Sequence, residues 1–133
     1  MPRKGTDRSK AKINKRRKWQ GKFESQVALV SLRRDTFRRY SVALEHFNDV
    51  FPTLGLEQFR ATHGEDYKQA RLSQSMAPTT IFYELQVIRT YFNWLVKQGV
   101  LDLNPFRLSC RVRPEKDPRF REWFEGQAST SET

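Results

Sequence analysis

APTTIFYELQVIRTYFNWLVKQGVLDLNPF, residues 77–106, is the stretch on which the fold turns. Pro78 suits the first position of a helix, where its missing N–H costs nothing, and Thr79 or Thr80 offers a hydroxyl to cap the orphan amides. Ile81, Leu85, Ile88, Phe92 and Leu95 follow at helical spacing and predict one apolar stripe. Gly99 is a natural helix stop, and Asn104-Pro105 forbids continuation. The opposite face carries Thr79, Tyr83, Gln86, Thr90 and Lys97, mostly hydroxyls and amides rather than a Glu/Lys mixture. A half-buried bundle helix whose polar side meets water accounts for this pattern, and so does a recognition surface. The rest of the sequence bears on the choice.

The chain has 133 residues, enough for one modest core, and its hydrophobic content of 37% is low for a globular protein. The missing apolar residues have a location. Residues 1–22 hold ten Lys or Arg and one Asp, so nearly all of the formal charge of +10 belongs to this end. Ile13 and Trp19 are its only large apolar side chains. Such a segment buries too little apolar surface to offset its ordering entropy, and residues 1–18 are expected to form a mobile basic tail. Its run Lys15-Arg16-Arg17-Lys18 points to a polyanion, nucleic acid before membrane, because a membrane-surface helix needs an apolar face beside its charges. A generic solubility or import patch is the competing reading of such a run. No apolar run approaches the length of a membrane span or forms the core of a signal peptide. The single Cys110 permits no internal disulfide, in keeping with a reducing, cytoplasmic compartment, or the nucleoid of a prokaryote. His46 and His63 stand without Cys or carboxylate partners at ligand spacing, so neither a metal site nor a cofactor is expected.

Trp19, Phe23, Val27 and Val30 predict a short first helix despite Gly21. A second follows Arg33-Arg34, capped by Asp35 or Thr36, with Phe37, Tyr40, Leu44, Phe47 and Phe51 as its stripe and Pro52 as its end. Arg33, Arg34, Arg38 and Arg39 crowd the N-terminal end of this helix, where cations oppose the macrodipole by about a few tenths of a kcal/mol each. A phosphate backbone would neutralise that cost; Arg stems lying over apolar surface with their heads in water would also explain it. Thr62 stands three residues before Glu65 in the arrangement of a capping box and opens a third helix to about Gln74, with Tyr67, Ala70 and Arg71 inward.

The order of these signals resembles a known family. Thr36, Tyr40, Leu44 and Phe47 look like the first part of the SAM-like, N-terminal core-binding domain of tyrosine recombinases, the phage-integrase type. Asp66-Tyr67-Lys68 with Arg71, Thr80-Ile81, Glu84-Leu85, Ile88-Arg89, Phe92-Asn93-Trp94, Gly99 and Asn104-Pro105 look like its second part. The resemblance covers roughly residues 32–106. It implies an all-α fold, a bundle of four to five helices over residues 19–106 that clamps one side of duplex DNA. It further implies that the N-terminal halves of the second and fourth helices approach the major groove. On one helix that points to Thr36, Arg38 and Arg39, beside Arg33 and Arg34. On the other it points to Thr79, Thr80, Tyr83 and Gln86. Arg contacts phosphate or guanine, Gln can read adenine, and hydroxyls anchor phosphates.

A complete member of that family adds a catalytic domain with an Arg/His/Lys constellation and a nucleophilic Tyr. Here Tyr91 is the last tyrosine, within the apolar helix, and no His follows His63. The expectation is a chain without catalysis of its own and without a small-molecule substrate. Its partners would be double-stranded DNA and, as the family implies, other recombinase protomers on the same DNA. Residues 107–133 resemble the linker that crosses DNA, with Arg111 and Arg113 placed for phosphate. From the residues themselves, either a short helix from Arg119 to Phe124 or a frayed end with a small satellite cluster of Phe120, Trp123 and Phe124 is expected, and 127–133, being polar, are expected to be disordered. An α-helical protein-interaction module and an RNA-binding helical protein are the alternatives.

Overall fold

The computed structural model describes residues 2–30 and 33–131, with side chains over 10–30 and 33–126. Among these residues the fold is all-α: α1 (Pro2–Val30), α2 (Arg34–Val50), α3 (Thr62–Ser73), α4 (Pro78–Lys97) and α5 (Arg121–Ser131). Short 3-10 turns at Leu56–Gln58, Pro114–Lys116 and Pro118–Phe120 lie between them.

The long helix is the axis of the bundle. Every member of its predicted stripe is buried, and Val87 and Tyr91 widen the apolar face. Phe92 is fully enclosed, its ring centroid 4.8 Å from that of Phe106, 5.5 Å from Phe59 and 5.8 Å from Phe47. Offset and edge-on pairs at these distances add to the area they bury. Gly99 takes φ +76°, a left-handed turn that a side chain would strain, and the helix ends there. Asn104 then reaches back, its amide donating to the Arg89 carbonyl at 2.9 Å, while its Oδ1 accepts from the Phe106 amide at 2.8 Å.

The caps differ from their expectations. Arg33, Ala61 and Ala77 occupy the N-cap positions of α2, α3 and α4, and none supplies a side-chain cap. Thr79 and Thr80 are inside the first turn of α4, Asp35 and Thr36 inside α2, and Thr62 is the first residue of α3. Glu65 turns away from a capping box to pair with Lys68 and Arg119. His63 Nδ1 instead accepts from the Arg60 amide at 2.8 Å.

Two stripe residues are exposed, Phe37 by 37% and Val30 by 73%, and no element covers them among the described residues. The larger departure is at the beginning of the chain. The first helix starts at Pro2, not near Trp19, and residues 10–18, expected as tail, lie on it. Side chains of residues 1–9 lie outside the described residues.

The chain after residue 106 packs on the bundle rather than leaving it. Phe106, Cys110 and Phe120 belong to the same core as α4. Lys68 of α3 donates to Asp117 at 2.9 Å, both side chains buried, and Asp117 also accepts from the Arg119 amide at 3.0 Å. Trp123 and Phe124 are half-buried, and the helical backbone of α5 continues past Gln127 to Ser131, where disorder is expected from sequence. Residues 132–133 lie outside the described residues.

Candidate nucleic-acid interface

The N-terminal halves of α2 and α4 lie side by side, and their outer surfaces form a groove of about 670 Å³. Asp35, Arg38, Arg39, Val42 and His46 line it from α2, and Thr79, Thr80, Tyr83 and Glu84 from α4. The spacing explains the lining. On α2, residues 38, 39, 42 and 46 recur at three and four and share one face; 79, 80 and 83 do the same on α4. Deeper in the molecule the helices are locked by Ala43, Leu44, Ile81 and Leu85, all buried.

Five residues expected at a DNA surface therefore converge from helices some forty positions apart: Arg38, Arg39, Thr79, Thr80 and Tyr83. Among the described residues neither arginine makes an ion pair with a protein carboxylate, so both cationic heads are available to an outside anion. Burial pushes the Tyr83 hydroxyl above its ordinary pKa, Tyr40 acts in the same direction and Arg39 opposes. The phenol stays protonated at neutral pH and can donate to a phosphate or a base edge.

Other expected DNA-facing residues lie outside the groove. Arg33 and Arg34 are exposed where α2 begins, and Thr36 is half-buried beside them. Gln86 is exposed one turn beyond Tyr83, on the same face of α4. Arg111 and Arg113 are exposed in the segment preceding the 114–116 turn.

The run on α1 divides. Arg17 and Lys18 are exposed, and Lys15 pairs with Glu57 at 2.6 Å. Arg16 is no surface cation; its expected role at DNA is corrected by its burial. Its guanidinium donates to the carbonyls of Phe51 and Leu54 and to Asn48 Oδ1 at 2.8 Å. It also lies 5.0 Å from the Phe47 ring centroid and 5.1 Å from that of Phe59. Burial pushes its pKa down to about 10, still a cation at neutral pH. The Phe51 carbonyl lies at the open C-terminal end of α2, where a cation is also favoured by the helix dipole, and that of Leu54 in the turn beyond it.

Sequence reasoning missed Val42 and His46 as groove residues, and with them Met76, Glu84, Asp35 and Ala43. The first two carry a usable signal, since they continue the Arg38–Arg39 face by one and two turns. Met76 and Glu84 carry none: one comes from the turn before α4, the other from a helix position flanking the polar face.

Among the described residues no cluster of His, Cys, Asp and Glu is arranged to hold a metal, and no helix is long and apolar enough to cross a membrane. No family model, curated protein or solved structure matches the chain.

Proposed function

We propose that this chain binds duplex DNA through the α2–α4 groove, with the exposed cations of α1 as a second, phosphate-binding element. It would serve as the core-binding part of a system like the tyrosine recombinases, and we assign it binding and no reaction. The observation that carries this reading is the convergence of Arg38 and Arg39 with Thr79, Thr80 and Tyr83 in one groove. Cations at the start of a helix oppose its dipole, and hydroxyls on an exposed helix face contribute little to folding. Both choices become favourable once a polyanion fills the groove, where Arg neutralises phosphate and hydroxyls orient the backbone.

The test is duplex titration at several salt concentrations with the wild type and an R38A/R39A variant. The variant should bind more weakly, and its log–log salt slope should fall by about 0.9 for each phosphate that is no longer neutralised. Its folded stability should change by no more than about 0.5 kcal/mol, because both sites are exposed. Equal affinity and slope in the two proteins would refute the groove as the DNA site. Single-stranded RNA as competitor separates the duplex reading from an RNA-binding one.

A protein-docking module is the second reading, favoured by one observation. Leu103 and Leu108 are exposed by 79% and 56% and rim a separate hollow with Leu56, Phe59 and Leu101. Partner capture that survives high salt would favour it, since phosphate-driven affinity does not.

A further inference from the structure

The groove is not uniformly polar. Val42, Ala43 and Met76 contribute apolar surface to it among Arg38, Arg39, Thr79, Thr80 and Tyr83. Ala43 is buried, whereas Val42 is 47% exposed, an aliphatic side chain open to solvent beside two guanidinium groups that form no ion pair with a carboxylate among the described residues. It lies one turn along α2 from Arg38 and Arg39, about 5.4 Å along the helix axis. Successive base pairs rise by roughly 3.4 Å. Asp35 also lines the groove, but Arg38 and Arg39 outnumber it and Glu84 is already paired with Arg71, so the charge favours a polyanion, and an apolar side chain among cations then needs an apolar group on that polyanion. In the major groove of DNA there is one, the 5-methyl group of thymine, which side chains such as alanine and the threonine methyl touch. RNA carries uracil in its place and lacks it.

We propose that Val42 is a specificity-determining residue that reads the methyl group of a thymine, one or two base pairs from the step held by Arg38 or Arg39. This rests on the duplex-binding reading above and makes it more specific: the site recognises DNA as DNA by a hydrophobic interaction. Met76 and the Tyr83 ring complete an apolar lining that excludes water from the methyl group. Burying one methyl-sized group is worth about fourfold in affinity.

The experiment begins with enrichment of duplexes from a randomised library by the full chain. Each thymine of the enriched duplex is then replaced, one at a time, by deoxyuridine, which removes only the methyl group. At one or two positions the wild type should bind about fourfold more weakly. V42S should bind the thymine duplex weaker by a similar factor and be indifferent to uracil at those positions, with its thermal unfolding confirming a folded state. The proposal is overturned if no uracil position affects the wild type, or if V42S retains the same uracil penalty. Duplex binding without enrichment of any sequence overturns it too, while leaving the binding function standing. Absence of duplex binding removes both.

Discussion

Arg71 and Glu84 meet as a buried, two-pronged ion pair that ties α3 to α4. Nε donates to Oε1 at 3.0 Å and Nη2 to Oε2 at 2.9 Å, with both side chains 6% exposed. The Tyr67 hydroxyl donates to the same Oε1 at 2.9 Å, and Gln74 accepts from the Arg71 Nη1 at 2.6 Å. Burial and the neighbouring carboxylate both push the Tyr67 pKa upward, so the phenol remains a donor. The pair stands beneath the groove: Glu84 is one of the groove's own lining residues, so this network sets how the first turns of α4 are presented.

Removing one partner leaves a charge stranded out of water, which costs about 3–5 kcal/mol, whereas replacing both by apolar groups is often close to neutral. R71M and E84M should each lower stability by that much in denaturant titrations, and R71M/E84M should lose clearly less than their sum. Strict additivity in this double-mutant cycle would show that the two residues do not act as a pair.

Phe92 tests the apolar half of the core. Enclosed by Phe47, Phe59, Tyr91 and Phe106, it cannot be truncated without a cavity. Phe92→Ala should cost roughly 3–5 kcal/mol, and Ile88→Val only about 0.5–1.5. A wild-type unfolding midpoint for the Phe92 variant would mean that the helix faces are assigned wrongly.

The contrast between these two sites shows what a sequence can reveal. Ile81 to Leu95 repeat with the helical period and are apolar, so their burial follows from the chain alone. Arg16, Lys68 and Glu84 are also buried, and Arg71 faces inward as its place on α3 predicts, but all four stay there only because Phe51, Asp117, Arg71 and Glu84 arrive from elsewhere to satisfy them. No local pattern encodes such a meeting. Phe37 and Val30 fail in the opposite way: both obey the period, yet among the described residues no element covers them. At the groove, Arg38 and Tyr83 are legible as residues out of place on a helix. Val42 is not, because an exposed single valine is ordinary until its neighbours are known.

Gly64 tests the seating of the segment after α4. A Cβ built there would overlap Ser109 Oγ and approach Ser109 Cβ to 3.0 Å. Alanine normally favours a helix over glycine by about 1 kcal/mol. Here the overlap should prevail, and Gly64→Ala should lower stability by roughly 1–3 kcal/mol as an overpacked site. G64A/S109G should recover part of that loss, since it removes the atoms that collide. A Gly64→Ala protein melting above the wild type would show that the 106–110 segment yields to α3 rather than being set against it.

Four adjacent cations on α1 offer the sharpest division between folding and binding. Arg16 closes the end of α2, satisfies carbonyls of Phe51 and Leu54 that no helix partner reaches, and lies against two phenyl rings. Arg16→Ala should therefore destabilise the fold by at least about 1–3 kcal/mol through buried acceptors left unpaired, with poorer packing in addition. Arg17 and Lys18, exposed on the same helix, should change stability by no more than about 0.5 kcal/mol when replaced by Ala. Their replacement should instead weaken duplex binding for all sequences alike and lower the log–log salt slope by about 0.9 for each phosphate they neutralise in the wild type. Lys15 lies between these cases. Its ion pair with Glu57 holds that carboxylate below the usual range, yet both groups are half-exposed, so the pair contributes little to stability. Unfolding midpoints and salt slopes measured on the four alanine variants give the check. An unaltered midpoint for Arg16→Ala, or an unaltered slope for the Arg17 and Lys18 variants together, would contradict the corresponding half of this division.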